Sequence, residues 1–261
     1  MNEPAKATAR FATGTAIVAG GSGGIGAEIC RVLAQAGADV TLTYNKSRDR
    51  AEAVAEAVRA AGRRAEAVQV DLTDDQAVSR FVETAAMAFG GIHTAIYAAG
   101  PYIPMRFISQ QPASAFREVM EHDTFGCFNL IQAVLPHLRT AKGSFTALVT
   151  PAIRRYATRD ILSAAPKAAI EALVKGLAAE EGRFGVRANA VGVGVITDGL
   201  YHALVESGDF DQRFLDASRA VMALKRLGTA DEVAEGVVFL ASSRARWITG
   251  QTLMIDGGYA L

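Results

Sequence analysis

The sequence predicts an α/β protein built on a single doubly wound, Rossmann-like parallel sheet flanked by helices. Three observations predict it. Short, uniformly apolar, β-branched runs alternate with longer helical patterns from Thr15 to the C-terminus, and strands without polar alternation belong to sheets covered on both faces. The first run passes directly into Gly20-Gly21-Ser22-Gly23-Gly24-Ile25-Gly26 and then into a helix, the setting of a phosphate-binding turn. No linker, repeat or low-complexity stretch interrupts the alternation, so residues 1–261 read as one domain. Residues 1–13, polar and without an apolar run, are expected to be flexible.

The elements follow in order. Residues 15–19 read as a buried strand, 24–36 as a helix stopped by Gly37, and 39–44 as a second strand. A helix over 48–61 ends at Gly62, a strand covers 65–70, and a helix over 74–89 is closed by Gly90-Gly91. A strand over 94–98 precedes one long helix over 113–140, and 144–150 is the fifth strand. The next helix, 163–184, starts near Pro166, as a proline in the first turn allows. Residues 187–193 form the sixth strand, and 194–210 show little periodicity. Helical patches at 210–222 and 230–241 precede a closing strand at 252–255.

Composition narrows the function classes. The chain has 261 residues, half of them hydrophobic and 21% charged, with mean hydropathy +0.18, which supplies a core and excludes intrinsic disorder. Lys+Arg and Asp+Glu are 27 each, so no global field gathers nucleic acid or an anionic membrane. No apolar run approaches the ~18 residues of a membrane span. Cys30 and Cys127 sit in apolar helical patterns and read as buried free thiols; a reducing, cytoplasmic setting is expected. His93, His122, His137 and His202 share no metal-ligand spacing, and no metal is expected.

The glycine turn fits two registers, Gly21/Gly23/Gly26 as GxGxxG and Gly20/Gly24/Gly26 as GxxxGxG. Either brings backbone N–H groups and a helix N-terminus to a pyrophosphate; a purely structural turn is the alternative. At the end of the second strand, where an acidic residue would bind the ribose 2'-hydroxyl of NAD, stands Tyr44-Asn45-Lys46-Ser47-Arg48. Bases there would meet a 2'-phosphate, so NADP(H) is expected over NAD(H). The alternative is that Lys46 and Arg48 are a solvated helix start, although cations are disfavoured at a helix N-terminus. Asp71 would accept the adenine amino group or would cap the following helix.

With these motifs in place, the chain resembles the short-chain dehydrogenase/reductase family from Thr15 to Gly258. The resemblance rests on Gly20-xxx-Gly24-Ile25-Gly26, Asp71-Leu72, Ala98-Ala99-Gly100, Arg187-Ala188-Asn189-Ala190-Val191, Ile248-Thr249-Gly250-Gln251 and Asp256-Gly257-Gly258. It implies a nucleotide-facing set of Gly20, Ser22, Gly24, Ile25, Gly26, Asn45, Lys46, Ser47, Asp71, Leu72, Ala98, Gly100, Lys167 and Thr197. It also implies a homodimer or homotetramer built through the long helices and the C-terminal strand. The family's Asn-Ser-Tyr-Lys catalytic set is only partly present. Lys167 keeps the lysine position, but Ser163 stands four residues earlier where the tyrosine belongs; Thr150 replaces the serine and Asp123 the asparagine.

In the family the tyrosine protonates the carbonyl oxygen as hydride arrives, its acidity raised by the lysine one helical turn away. A serine hydroxyl is far less acidic and shorter by a ring. Three functions fit. The first is an NADP(H)-dependent reductase with another proton donor: Tyr156, assisted by Arg154 and Arg155, or water held by Ser163 and Lys167. The second is chemistry that needs no strong acid, redox or not. The third is a catalytically silent NADP(H)-binding sensor or partner subunit. A small-molecule substrate is expected, anionic if Arg106, Arg154, Arg155 and Arg159 converge, under a lid formed by residues 195–213.

Overall fold

The computed structural model describes residues 10–261. Its strands are β1 (Thr15–Ala19), β2 (Asp39–Tyr44), β3 (Ala65–Gln69), β4 (Ile92–Tyr97), β5 (Ser144–Val149), β6 (Arg187–Val193) and β7 (Thr252–Ile255). They form one sheet in the order β3-β2-β1-β4-β5-β6-β7, and every pairing is parallel. The order reverses between β1 and β4, which are hydrogen-bonded neighbours with Val18 opposite Ile96 and Ala19 opposite Tyr97. Chains leaving these two strands diverge, opening a crevice at their C-terminal ends where such sheets bind ligands.

Helices α1 (Gly24–Gln35), α2 (Arg48–Ala60), α3 (Asp75–Phe89), α4 (Ala113–Val119), α5 (Gly126–Ala141), α6 (Ile161–Glu181), α7 (Tyr201–Glu206), α8 (Gln212–Val221) and α9 (Ala230–Ala241) follow the strands. One core packs α1, α2 and α9 on one face of the sheet, through Ile29, Leu33, Val54, Val58 and Val237. The other packs α3, α5 and α6 on the opposite face, through Val78, Phe81, Leu130, Val134 and Ile170. Burial on both faces is why β1 and β5 are apolar or small throughout. Two motif residues of β6 serve this architecture. Arg187 donates to the carbonyls of Leu240, Ala241 and Ser242 at the end of α9, and Asn189 bridges the carbonyl of Ile248 and the N–H of Gln251.

The long helix expected over 113–140 runs without interruption from Ala113 to Ala141, with a π-type turn over Met120–Phe125 between α4 and α5, a one-residue insertion that apolar periodicity does not register. Three expectations are corrected. The stretch 194–210 contains α7, too short for a periodic pattern. Helix α6 begins at Ile161, ahead of the expected Ser163, with Asp160 as its N-cap residue. The expected flexibility of residues 1–9 lies outside the described residues, but residues 10–13 are partly anchored. The Arg10 carbonyl accepts from Ser243 N, and Phe11 lies 5.2 Å from the His93 ring. Both cysteines are buried free thiols.

Candidate active site

The glycine turn leaves β1 and enters α1 at the crevice. Gly20 has φ +79°, and a Cβ there would lie 2.7 Å from the Ala99 backbone; one at Gly26 would lie 2.2 Å from the Gly20 carbonyl. Gly20 and Gly26 are therefore dictated by close approach. Gly23, the N-cap residue of α1, offers no side-chain cap, so the first N–H groups of α1 face the crevice with the partial positive charge of a helix start. Gly20 N donates to Thr43 Oγ1 at 3.1 Å, tying the turn to β2. This cradle fits a dinucleotide pyrophosphate.

Past β2, Asn45 and Lys46 are exposed and Ser47 is half-buried. Lys46 and Arg48 form no ion pair among the described residues, and Arg48 occupies the first position of α2, where a cation opposes the helix dipole. Asp71 does not cap α3; Asp74 does, accepting from Ala77 N. Asp71 Oδ1 instead accepts from Thr73 N and Oγ1 at 2.9 and 2.8 Å. Those hydrogen bonds, with His122 nearby, hold its carboxyl below the usual range. Leu72 follows, its carbonyl accepting from Asn129 Nδ2.

The centre of the site is Lys167. Its Nζ lies 2.9 Å from Asp123 Oδ1 and 3.3 Å from the carbonyl of Ala99, beside Gly100. The π-type turn turns Asp123 inward, where its side chain is 3% exposed. Tyr97 secures that turn from below: its hydroxyl donates to the carbonyls of Asp123 and His122 at 2.9 and 3.2 Å. Burial, with the Asp123 charge nearby, pushes the Tyr97 phenol well above its ordinary range, so it is a pin and not an acid. The sequence signal for Tyr97 is a phenol at the C-terminal end of β4, next to Ala98-Ala99-Gly100.

Other expected groups are placed differently. Thr150 Oγ1 accepts from Ala152 N at 3.2 Å, leaving its proton free to donate. Ser163 is half-buried, one turn before Lys167 on α6. Tyr156 is 50% exposed, and the arginines expected to assist it are engaged elsewhere. Arg154 pairs with buried Glu171, and Arg155 lies over the Tyr259 ring and donates to the carbonyls of Tyr259 and Leu261. The four-arginine anion site is therefore not assembled. Among the described residues, no group of three His, Cys, Asp or Glu could hold a metal ion, and no helix is long and apolar enough to cross a membrane.

The segment after β6 bridges the crevice. Thr197 N and Gly228 N exchange hydrogen bonds with the carbonyls of Gly228 and Val195, and Asp198 Oδ2 accepts from Ala230 N at 3.0 Å. Gly199 presses against Gly24, where a Cβ would lie 2.6 Å from Gly199 N. At its far end, Asp209 Oδ2 accepts from Met105 N at 3.4 Å. A cavity of about 390 Å³ lies at the root of this segment, against Leu224, Arg226, Glu232 and Met254. None of the crevice residues named above Thr197 lines it.

Comparison with known proteins agrees with this geometry. The family model of enoyl-(acyl carrier protein) reductases matches residues 19–260. A 3-oxoacyl-[acyl-carrier-protein] reductase FabG of Staphylococcus epidermidis is 32% identical over 248 residues, covering 94% of this chain and 98% of that protein. The L-fucose dehydrogenase of Oryctolagus cuniculus is 30% identical over 97% of this chain and 87% of its own. A short-chain dehydrogenase from Burkholderia cenocepacia J2315, solved in complex with NADP, superposes with a TM-score of 0.86 at 34% identity, covering 95% of this chain and 98% of its own. With the glycine turn, the switch-point crevice and Lys167 in their places, the chain belongs to the short-chain dehydrogenase/reductase family of oxidoreductases.

Proposed function

We propose that the protein is an NADP(H)-dependent carbonyl reductase of the cytoplasm, with an atypical proton-donating site in which Ser163 occupies the tyrosine position. The observation that carries this reading is the placement of Lys167 beside Gly100 and the Ala99 carbonyl, at the switch point next to the glycine turn. The turn and the first N–H groups of α1 would hold the pyrophosphate, and Lys46, Ser47 and Arg48 the 2'-phosphate. Asp71 would take the adenine amino group, Ala98 and Gly100 would line the ribose, and Lys167 would bind its hydroxyls. Thr197 would close the site from the lid. The bound dinucleotide supplies hydride.

The residues of the chain do the rest. Thr150 keeps a hydroxyl proton for a substrate oxygen, and residues 195–213 cover the crevice and exclude water. The ordered cradle and the retained lysine favour turnover. A second reading, a silent NADP(H)-binding sensor or subunit, is favoured by one observation: the Asp123 carboxylate opposes the Lys167 ammonium, the charge that raises acidity in related sites. NADPH oxidation with a ketone panel separates the two. Consumption matched by alcohol formation supports the reductase; tight NADPH binding without consumption supports the sensor.

The exposed Phe125 at the end of the π-type turn, Phe128 on α5 and Phe116 on α4 support assembly as a homodimer or homotetramer through this surface.

A further inference from the structure

The π-type turn and Lys167 meet at one side chain. Tyr97 is the last residue of β4 and belongs to the sheet face that packs α3, α5 and α6. Of the six tyrosines in the chain, it alone is fully buried, so its hydroxyl needs partners within the protein. Those partners are the carbonyls of Asp123 and His122, at 2.9 and 3.2 Å. A π-type insertion shifts successive carbonyls out of step with the N–H groups of the next turn, and the phenol supplies a donor at that point. Gly126 leaves room for it: a Cβ there would lie 3.3 Å from the Tyr97 hydroxyl oxygen and 3.2 Å from Leu72 Cβ.

The same residue reaches the other half of the ion pair. Lys167 Nζ lies 5.5 Å from the centroid of the Tyr97 ring, within the range of a cation–π contact, while it also bonds Asp123 Oδ1 and the Ala99 carbonyl. Thr124, the next residue of the turn, donates from Oγ1 to the Pro166 carbonyl at 3.4 Å. Turn and α6 are thus fastened together beside the lysine. A lysine stem is long and flexible, and an ammonium held by one contact would spread over many rotamers. Here the Tyr97 hydroxyl fixes the backbone that carries Asp123, and the Tyr97 ring faces the ammonium that Asp123 takes.

We propose that Tyr97 is a positioning residue for Lys167: with its hydroxyl on the π-type turn and its ring on the ammonium, it fixes the lysine that would bind the hydroxyls of the nicotinamide ribose. This rests on the reductase reading above. Tyr97 gives up no proton and acts only through Asp123 and Lys167. Its loss should therefore be felt by the nicotinamide half of the cofactor and not by the adenine half, which the glycine turn and the end of β2 would hold.

Binding of two ligands to the full chain separates this role from mere support of the fold. One is NADPH; the other is adenosine 2',5'-bisphosphate, which lacks the nicotinamide and its ribose. Tyr97→Phe keeps the ring and removes one oxygen, so NADPH should bind ~3–10-fold more weakly, the worth of a hydrogen bond, while the bisphosphate binds as it does to wild type. The double variant Asp123→Asn, Lys167→Met, which leaves no unmatched charge, should also weaken NADPH and spare the bisphosphate. Adding Tyr97→Phe to that double variant should change NADPH affinity by less than about twofold, because residues acting through one another are not additive. Equal weakening of both ligands by Tyr97→Phe, no weakening of NADPH, or a loss that persists in the double variant overturns the proposal. A wild type that binds NADPH but reduces no ketone overturns the reductase reading alone, since these measurements need no turnover. A wild type that does not bind NADPH overturns both.

Discussion

Lys167 Nζ lies 2.9 Å from the buried Asp123 Oδ1, so the lysine that would acidify a neighbouring phenol is already neutralised. Restoring the tyrosine alone is then a partial repair. Ser163→Tyr should give weak ketone reduction, and Ser163→Tyr with Asp123→Asn should exceed it by about tenfold or more, the effect of one unit of acidity. Initial rates of NADPH oxidation for the two variants check this. Equal rates would mean that the ion pair does not limit the site.

The same pair carries stability. Asp123→Ala leaves a mostly buried ammonium unmatched and should cost roughly 3 kcal/mol in urea denaturation. Adding Lys167→Met should recover most of that loss. A single variant as stable as wild type would show that the ammonium finds water instead.

Much of the fold was legible in the chain, and the failures have physical causes. β1, β2, β6, β7 and α9 have the bounds that their apolar runs and flanking breakers mark; β1, β2 and β6 are buried on both faces, which leaves no polar ambiguity. The π-type turn within the long helix was illegible, because apolar periodicity does not register a one-residue insertion and its contacts with the Tyr97 hydroxyl and Lys167 are long-range. At the site, Lys167 and the glycine turn announce themselves by spacing.

Cofactor choice follows from the end of β2. NADPH should raise the melting temperature more than NADH does, since Lys46 and Arg48 form no ion pair among the described residues and no acid stands at the strand end. Lys46→Glu should remove the difference. Equal shifts in the wild type would contradict the assignment.

His93 makes folding pH-sensitive. Burial pulls its imidazole down to about 4, and Nε2 has no partner. Above pH ~6.5 both states are neutral. Below it the unfolded chain binds a proton that the folded chain refuses, so stability falls with pH, by about 2 kcal/mol at pH 5. His93→Phe should flatten that slope in urea melts at pH 7.5 and 5; an unchanged slope would exclude His93 as its cause.

Assembly is checked by light scattering. A species heavier than the 27.5 kDa chain is expected at micromolar concentration, and Phe128→Glu should dissociate it. A monomeric wild type would contradict the interface.

Carbonyl reduction itself is tested most directly by isotope transfer. NADPH carrying deuterium at both nicotinamide C4 positions is incubated with the protein and ethyl acetoacetate, and the recovered hydroxy ester is weighed by mass spectrometry. Deuterium on the carbinol carbon, absent without protein, is the expected result. Bound NADPH with no deuterated alcohol would contradict the reductase and leave a binding protein.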